Sequence, residues 1–352
     1  MILTFFVGIF LLYFYFIPCN LRLRILSSVK GRNAQNNFAI MKNRSKYNKS
    51  DVNISVFSET PHGLASDNEV ILNYIKAASK KGFKKQTGLP NDWRGKTVVE
   101  FGCGAGMKIL PLALNGANII GIDGSEIQLA RIKKNAKALG IKGNFICSKL
   151  EEVNPKSIPN ADLVICSAVI HHVHEWRRLL EIMSEVLKEG GYLYLTWGDW
   201  TIHLSGFNIK NQIAYRLGWN NNSRMRIGKF LFGWWDKGRN VLNLEDNSFF
   251  ADLYSAYYIP ISYTKMCKYL NKNGIEIMNA LPPHNIEHYI RYHEFAGTNS
   301  KFLSFFKKIE KTQFAFFINI LLRLRHYTIP KHGPRIISSQ KNSKILVKPS
   351  HR

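Results

Sequence analysis

The sequence predicts an α/β fold: a doubly wound, seven-stranded, mostly parallel sheet with helices on both faces, plus an inserted cap and terminal extensions. Three observations carry this reading. Between Lys96 and Ala280, apolar runs alternate with amphipathic stretches of helical period. The apolar runs are almost free of polar residues, as strands covered on both faces are. A glycine-dense turn follows the leading strand, in VVEFGCGAG at Val98–Gly106.

The elements follow in order along the chain. Met107–Asn115 begins a helix directly after the turn, and Asn118–Ile122 is a strand that ends on Asp123 in IIGIDGS. Ser125–Leu139 is amphipathic, opens on a serine with Glu126 in its first turn, and stops before Gly140. Phe145–Cys147 and Ala161–Ser167 (ADLVICS) are the third and fourth strands. Trp176–Lys188 is a helix stopped by Gly190-Gly191, ahead of the strand Tyr192–Trp197. Tyr263–Asn273, Gly274 and Ile275–Met278 give the closing helix, turn and strand.

The turn is the chemical centre of this pattern. Gly102, Gly104 and Gly106 allow positive φ and close approach of backbone to a ligand. The helix after them presents free N–H groups toward that ligand. Asp123 stands at the C-terminal edge of its strand, where open α/β sheets bind ligands, and its carboxylate can accept two ribose hydroxyls. A dinucleotide fingerprint reads G-x-G-x-x-G, whereas this turn reads G-x-G-x-G with Glu100 two residues ahead. A carboxylate at that place repels a pyrophosphate and suits a cationic ligand. A dinucleotide site and a ligand-free strand–helix turn are the alternatives.

These motifs resemble class I S-adenosylmethionine (SAM)-dependent methyltransferases, of the type 11 or ubiquinone-methyltransferase-like group, whose sheet is Rossmann-like. The resemblance covers roughly Lys96–Ala280 and implies SAM as cofactor. It implies that Glu100 meets the methionine amino group and that backbone at Phe101, Gly102, Cys103 and Gly104 lines the methionine. It implies further that Asp123 holds the ribose, that Gly124 leaves room beside adenine, and that Ser167 offers backbone to the methionine. One position departs from the family. After the third strand many members carry an acid for the adenine amino group, and FICSKLEEV places Lys149 there. Lysine only donates, so the adenine contact falls to backbone at Lys149 and Leu150, or to Glu151.

Methyl transfer from a sulfonium needs positioning above all, and a base only where the acceptor loses a proton. His171 and His172 in SAVIHHVHEW follow the fourth strand and are the candidate catalytic bases; packing or capping of the following helix is the alternative. Ubiquinone-type members carry two glutamates before the histidine. Ala168 and His171 occupy those places here, which argues against a metal-assisted mechanism. No NPPY-like motif follows the fourth strand, which argues against DNA adenine methylation. Cys19, Cys103, Cys147, Cys166 and Cys267 form no C-x-x-C pair or metal cluster, a usage that fits a reducing compartment.

The organisation read from the sequence is an apolar segment at 1–20, a basic linker at 21–65, and a catalytic domain at 66–283 with a substrate cap at 200–260. A helical extension at 284–330 and a disordered basic tail at 331–352 follow. The cap is rich in aromatics and arginines: Trp219, Arg224, Arg226, Phe230, Phe232, Trp234, Trp235, Arg239, Phe249, Phe250, Tyr254, Tyr257 and Tyr258. It either encloses an aromatic, glycan or lipid-linked acceptor or forms a small subcore over the sheet edge. Charge gathers at the ends. Residues 1–50 hold eight Lys or Arg and no acid, and residues 301–352 hold twelve against Glu310 alone, out of a net +25. A nucleic-acid enzyme more often shows a basic face on the domain itself, so a small-molecule, lipid-linked or glycan acceptor is the leading expectation. An RNA or protein methyltransferase, or an inactive SAM-fold scaffold at a membrane, stands as the alternative. Ile2–Ile17 is apolar and followed by positive charge, which reads either as a short anchor with a cytoplasmic catalytic domain or as sequence ahead of a start at Met41. Phe302–Leu324 is too interrupted by charge to span a bilayer, and lies in a membrane interface or packs on the domain.

Overall fold

Adjacent valines in the first strand face opposite sides of one sheet, and this alternation organises the core. Val98 joins the layer formed with Leu163 and Ile165, whereas Val99 joins the layer formed with Val164 and Cys166. The computed structural model describes residues 49–59, 68–81, 92–197, 207–218, 220–236, 254, 256–259, 261–281, 286–287, 290, 301–328 and 335–341, all within the unit Asn48–Arg352.

The strands are β1 (Thr97–Phe101), β2 (Asn118–Asp123), β3 (Asn144–Cys147), β4 (Ala161–Ser167), β5 (Leu187–Thr196), β6 (Ile275–Leu281) and β7 (Arg335–Lys341), in the order β3-β2-β1-β4-β5-β7-β6. Five strands, β1 to β5, pair in parallel as the main part of this seven-stranded sheet. β7 enters between β5 and β6 and is antiparallel to both. One side of the sheet is covered by α2 (Asn68–Lys81), α3 (Ile109–Leu114) and α4 (Glu126–Ala138), through Ile71, Ile75, Ile109, Leu129 and Ile132. The other is covered by α5 (Trp176–Val186) and α8 (Tyr263–Lys272), through Leu179, Leu180, Met183, Met266 and Leu270. Ser125 caps α4 by accepting from Gln128 N at 3.3 Å, as its position at the helix start predicts.

The structure corrects four boundaries. α1 (Lys49–Glu59) is a helix inside the stretch expected to be linker. β7 lies inside the stretch expected to be a disordered tail, because Ile336 pairs with both Leu195 and Ala280 and closes the gap between β5 and β6. The sheet therefore runs beyond 283, and the stretch 284–330 lies between two of its strands in the chain. Finally, α5 ends at Val186 and β5 begins at Leu187, ahead of the two glycines. Gly190 turns within the strand at φ +74°, and a Cβ on Gly191 would lie 2.8 Å from the Lys188 carbonyl oxygen and 3.0 Å from that of Ala161. The apolar segment at 1–20 lies outside the described residues.

Candidate active site

The C-terminal edge of the parallel strands gathers the candidate residues. Glu100 pairs in register with Gly121 of β2 and Ile165 of β4, so its carboxyl is carried into the middle of the sheet edge and is almost wholly buried. Burial pushes it up to about 8; the nearby Lys108 charge and a hydrogen bond from Ile109 N–H pull it down, and Asp123 adds to the rise. Its Oε2 is buried with no hydrogen-bond partner among the described residues. A buried carboxyl oxygen left in that state is a site for a donor the chain itself does not supply.

The glycine turn is held from behind and open in front. Gly102 N and Cys103 N both donate to the Ile122 carbonyl, at 2.7 and 3.1 Å, and Gly106 N donates to the Cys103 carbonyl at 2.8 Å. Gly104 N donates to Asp123 Oδ2 at 2.9 Å, and Ser125 N donates to Asp123 Oδ1 at 2.9 Å. The three glycines have φ of +73°, +48° and +86°. A Cβ on Gly102 would strike Val169, and one on Gly106 would strike Leu110 and Ile132; one on Gly104 meets nothing within 4 Å. Gly104 thus marks the face a ligand can approach. The N–H groups of Gly102, Cys103 and Gly104 are already engaged, so any ligand contact there falls to other atoms. Asp123 is half-buried, and desolvation raises its carboxyl despite the backbone N–H groups of Ser125, Gly104 and Gly124.

Other expected positions take structural roles. Phe101 and Leu150 are core residues in the layer under α5, so only their backbone can face a ligand. Cys103 packs into the opposite layer beside Gly121, and burial pushes its thiol well above the ordinary range. Ser167 Oγ lies 3.2 Å from Thr196 Oγ1, which also accepts from Ala168 N at 2.8 Å. Ala168 sits at φ +59°, a left-handed backbone that a non-glycine residue keeps only where surroundings hold it. Neither Ala168 nor Thr196 stands out in the sequence.

α1 supplies the contacts that sequence reasoning missed. Lys149 Nζ lies 2.8 Å from Asp51 and 3.5 Å from Glu152, so its side chain is engaged and its backbone is the part left for a ligand. Ser50 Oγ donates to Glu151 and accepts from His174 N at 2.8 Å. A Cβ on Gly124 would meet Ile54 at 2.7 Å, so the room that glycine leaves is taken by the helix. Asn53 Nδ2 donates to the carbonyls of His172 and Tyr257, at 2.7 and 2.9 Å, while its Oδ1 accepts from Tyr257 N at 2.6 Å.

That clamp reaches the histidines. Both lie in the turn Ile170–His172 and are buried. His172 Nδ1 stands 3.2 Å from the Tyr257 carbonyl, and a carbonyl only accepts, so this contact favours a proton on Nδ1. His171 stacks on Tyr258 at 5.0 Å, and Phe57 meets the His172 ring edge-on at 5.0 Å. In the cap, α6 (Phe207–Leu217) and α7 (Asn221–Asp236) form a subcore: Tyr254 is fully buried and packs with Phe232 and Ala214, and the Arg224 guanidinium lies 3.8 Å from the Tyr215 ring centroid. Trp219, Arg239, Phe249 and Phe250, and the side chains of Trp234 and Trp235, lie outside the described residues. Among the described residues no three His, Cys, Asp or Glu side chains converge as a metal site.

Comparison with known proteins places this edge in context. The family described as "Methyltransferase domain" matches residues 99–195. The ubiquinone biosynthesis O-methyltransferase of Bradyrhizobium diazoefficiens is 30% identical over 129 residues, 37% of this chain and 50% of that protein. The human mitochondrial ubiquinone biosynthesis O-methyltransferase is 32% identical over 138 residues, 37% of this chain and 35% of that protein. The chain thus spans half or less of the length of these curated relatives. A solved structure of magnesium protoporphyrin IX methyltransferase from Synechocystis with bound SAH aligns at a TM-score of 0.41 and 17% identity, over 66% of this chain and 91% of that one.

Proposed function

We propose, from the premise that residues 99–195 form a class I SAM-dependent methyltransferase domain, that the chain methylates an oxygen or nitrogen of a small-molecule or lipid-linked acceptor. The observation that carries the reading is the buried, unpartnered Oε2 of Glu100 beside the open face of Gly104. The residues fit SAM: Glu100 lacks a donor, which an ammonium group provides, and half-buried Asp123 keeps acceptor capacity on oxygens that each already receive one backbone N–H. Bound SAM supplies a methyl group made electrophilic by its sulfonium.

The chain's own residues do the rest. Glu100 orients the ammonium end, Asp123 the ribose hydroxyls, and the held turn at Ala168 keeps the β4 edge close to both. His172, whose contact with the Tyr257 carbonyl favours a proton on Nδ1, takes a proton from the acceptor at Nε2. The names of the curated relatives support oxygen as the methylated atom. The basic, apolar N-terminal segment supports a cytoplasmic domain attached at a membrane. The cap supports enclosure of the acceptor.

Titration calorimetry with SAM and with its demethylated product tests this reading. Both should bind, and Asp123→Ala should bind at least tenfold more weakly while remaining folded by circular dichroism. An absence of binding to the wild type overturns it. Release of the demethylated product on adding lipid extract, set against added RNA or protein, then separates the acceptor classes.

A further inference from the structure

The insertion between β6 and β7 carries an apolar surface that stays exposed on its described residues. α9 (Lys301–Glu310) and α10 (Phe314–Thr328) pack together through an inner cluster of Leu303 and Leu322, with Phe306, Ile309, Ala315 and Ile318 against it and with Ile286 and Ile290. This cluster uses one side of α10. On the other side Phe314 is 70%, Phe316 66% and Phe317 62% exposed, with Ile320 and Leu321 also open to solvent. At about 100° per residue, these five positions sweep an arc of about 160° that excludes Ala315, Ile318 and Leu322. A helix that is apolar on both sides has a second partner, and exposed aromatics grouped in this way mark an interaction surface.

Charge and position identify that partner. Lys307, Lys308 and Lys311 are exposed at the α9–α10 junction, with Glu310 the only acid among residues 301–352. β6 runs with the five parallel strands, so the insertion leaves the sheet at Leu281 from the same edge that carries Glu100, Asp123 and Ser167. It returns there too: Arg335 pairs with both Leu281 and Thr196, the residue that holds Ala168. α10 has 15 residues, about 22 Å of helix against a hydrocarbon core of about 30 Å, so it lies along a bilayer and does not cross one. Among the described residues no helix is long and apolar enough to cross.

We propose that the outer face of α10 and the lysines of the α9–α10 junction dock the catalytic edge of this protein onto an anionic lipid surface. Phenyl rings enter the headgroup boundary while lysines meet lipid phosphates. Phe230 on α7, 86% exposed, adds a second apolar contact on an insertion that leaves the same edge. For the methyl-transfer reading above, on which this consequence rests, the acceptor is then lipid-embedded and reaches the site from the membrane side.

Flotation of the full chain with vesicles, without cofactor, tests the docking. The wild type should float with an equal mixture of phosphatidylglycerol and phosphatidylcholine and stay behind with phosphatidylcholine alone. The double substitution Phe316→Ser/Phe317→Ser should reduce flotation about tenfold or more, and Lys307→Glu/Lys308→Glu about tenfold. Each variant should bind SAM as the wild type does, since none touches that site; that measurement keeps failure of docking apart from failure of the methyltransferase reading. Three outcomes overturn the proposal: a wild type that ignores anionic vesicles, a Phe316→Ser/Phe317→Ser protein that floats as well as the wild type, or a dimer of the wild type that this double substitution dissociates while vesicles are ignored.

Discussion

Cofactor affinity should climb with pH, because the carboxyl proposed to meet the ammonium group is held protonated by its own surroundings. Burial pushes Glu100 up to about 8, so only about one molecule in a hundred has it ionised near pH 6, and about one in eleven near pH 7. An ammonium needs the carboxylate as acceptor, and binding therefore expels the proton. The number of protons released sets the slope, so affinity should rise about ninefold over that single unit. Above about pH 8 an α-amino group loses its own charge and the rise should flatten. Calorimetry near pH 6 and pH 7, each in two buffers of different ionisation enthalpy, reads both quantities. About one proton should leave the protein on binding near pH 6. Glu100→Gln should abolish both the slope and the proton release. Affinity that is flat over this range in the wild type, with no proton released, would refute the placement of Glu100 against the ammonium.

The same carboxyl should act against the fold. A carboxyl whose pKa is raised on folding costs nothing below its unfolded value and destabilises increasingly as pH rises toward about 8. Glu100→Gln should thus raise the melting temperature above neutral pH, by a gain of no more than about 5 kcal/mol, while weakening cofactor binding. Lys149→Ala should change SAM affinity by less than about threefold, because its ammonium pairs with Asp51 and the adenine contact expected of this position is through backbone; a tenfold loss in calorimetry would show that the side chain itself contributes to binding. Asn53→Ala leaves the half-buried Tyr257 N–H without this acceptor and should cost about 1 kcal/mol by denaturant titration. In nitrogen-15 spectra of the same variant, the His172 ring should lose its favoured Nδ1–H tautomer; an unchanged tautomer would show that Asn53 does not position that ring.

The parts of the site within one strand–turn–strand unit were readable along the chain. Val98–Gly106 and Asp123 are close in sequence, their strands are uniformly apolar, and the glycines announce a backbone that other residues avoid. The parts assembled across the chain were not. α1 reads KSDVNISVFSE, with β-branched residues and no strong helical stripe, inside a basic stretch. It is recognised only through what it touches: Asn53 reaches His172 and Tyr257, more than 100 and 200 positions away. β7 has the same character. RIISSQK is too short and polar to announce a strand, and it forms one because β5 and β6 leave a row of backbone groups for it to pair. Lys149 looked like a defect in the adenine site until Asp51 appeared beside it.

The sequence by itself determined the parallel strands β1 to β5, the glycine turn and the acids at their edge, because hydrophobic period and glycine conformation act over a few neighbouring residues. Only the tertiary structure decided which side chains serve the core and which stay at the sheet edge. It took Cys103 and Phe101 inward, turned Lys149 to Asp51, set His172 Nδ1 against a distant carbonyl, and left Glu100 Oε2 without a donor among the described residues. Those outcomes depend on burial and on hydrogen-bond partners that arrive from elements far away in the chain, and they exist only once the chain has closed around them.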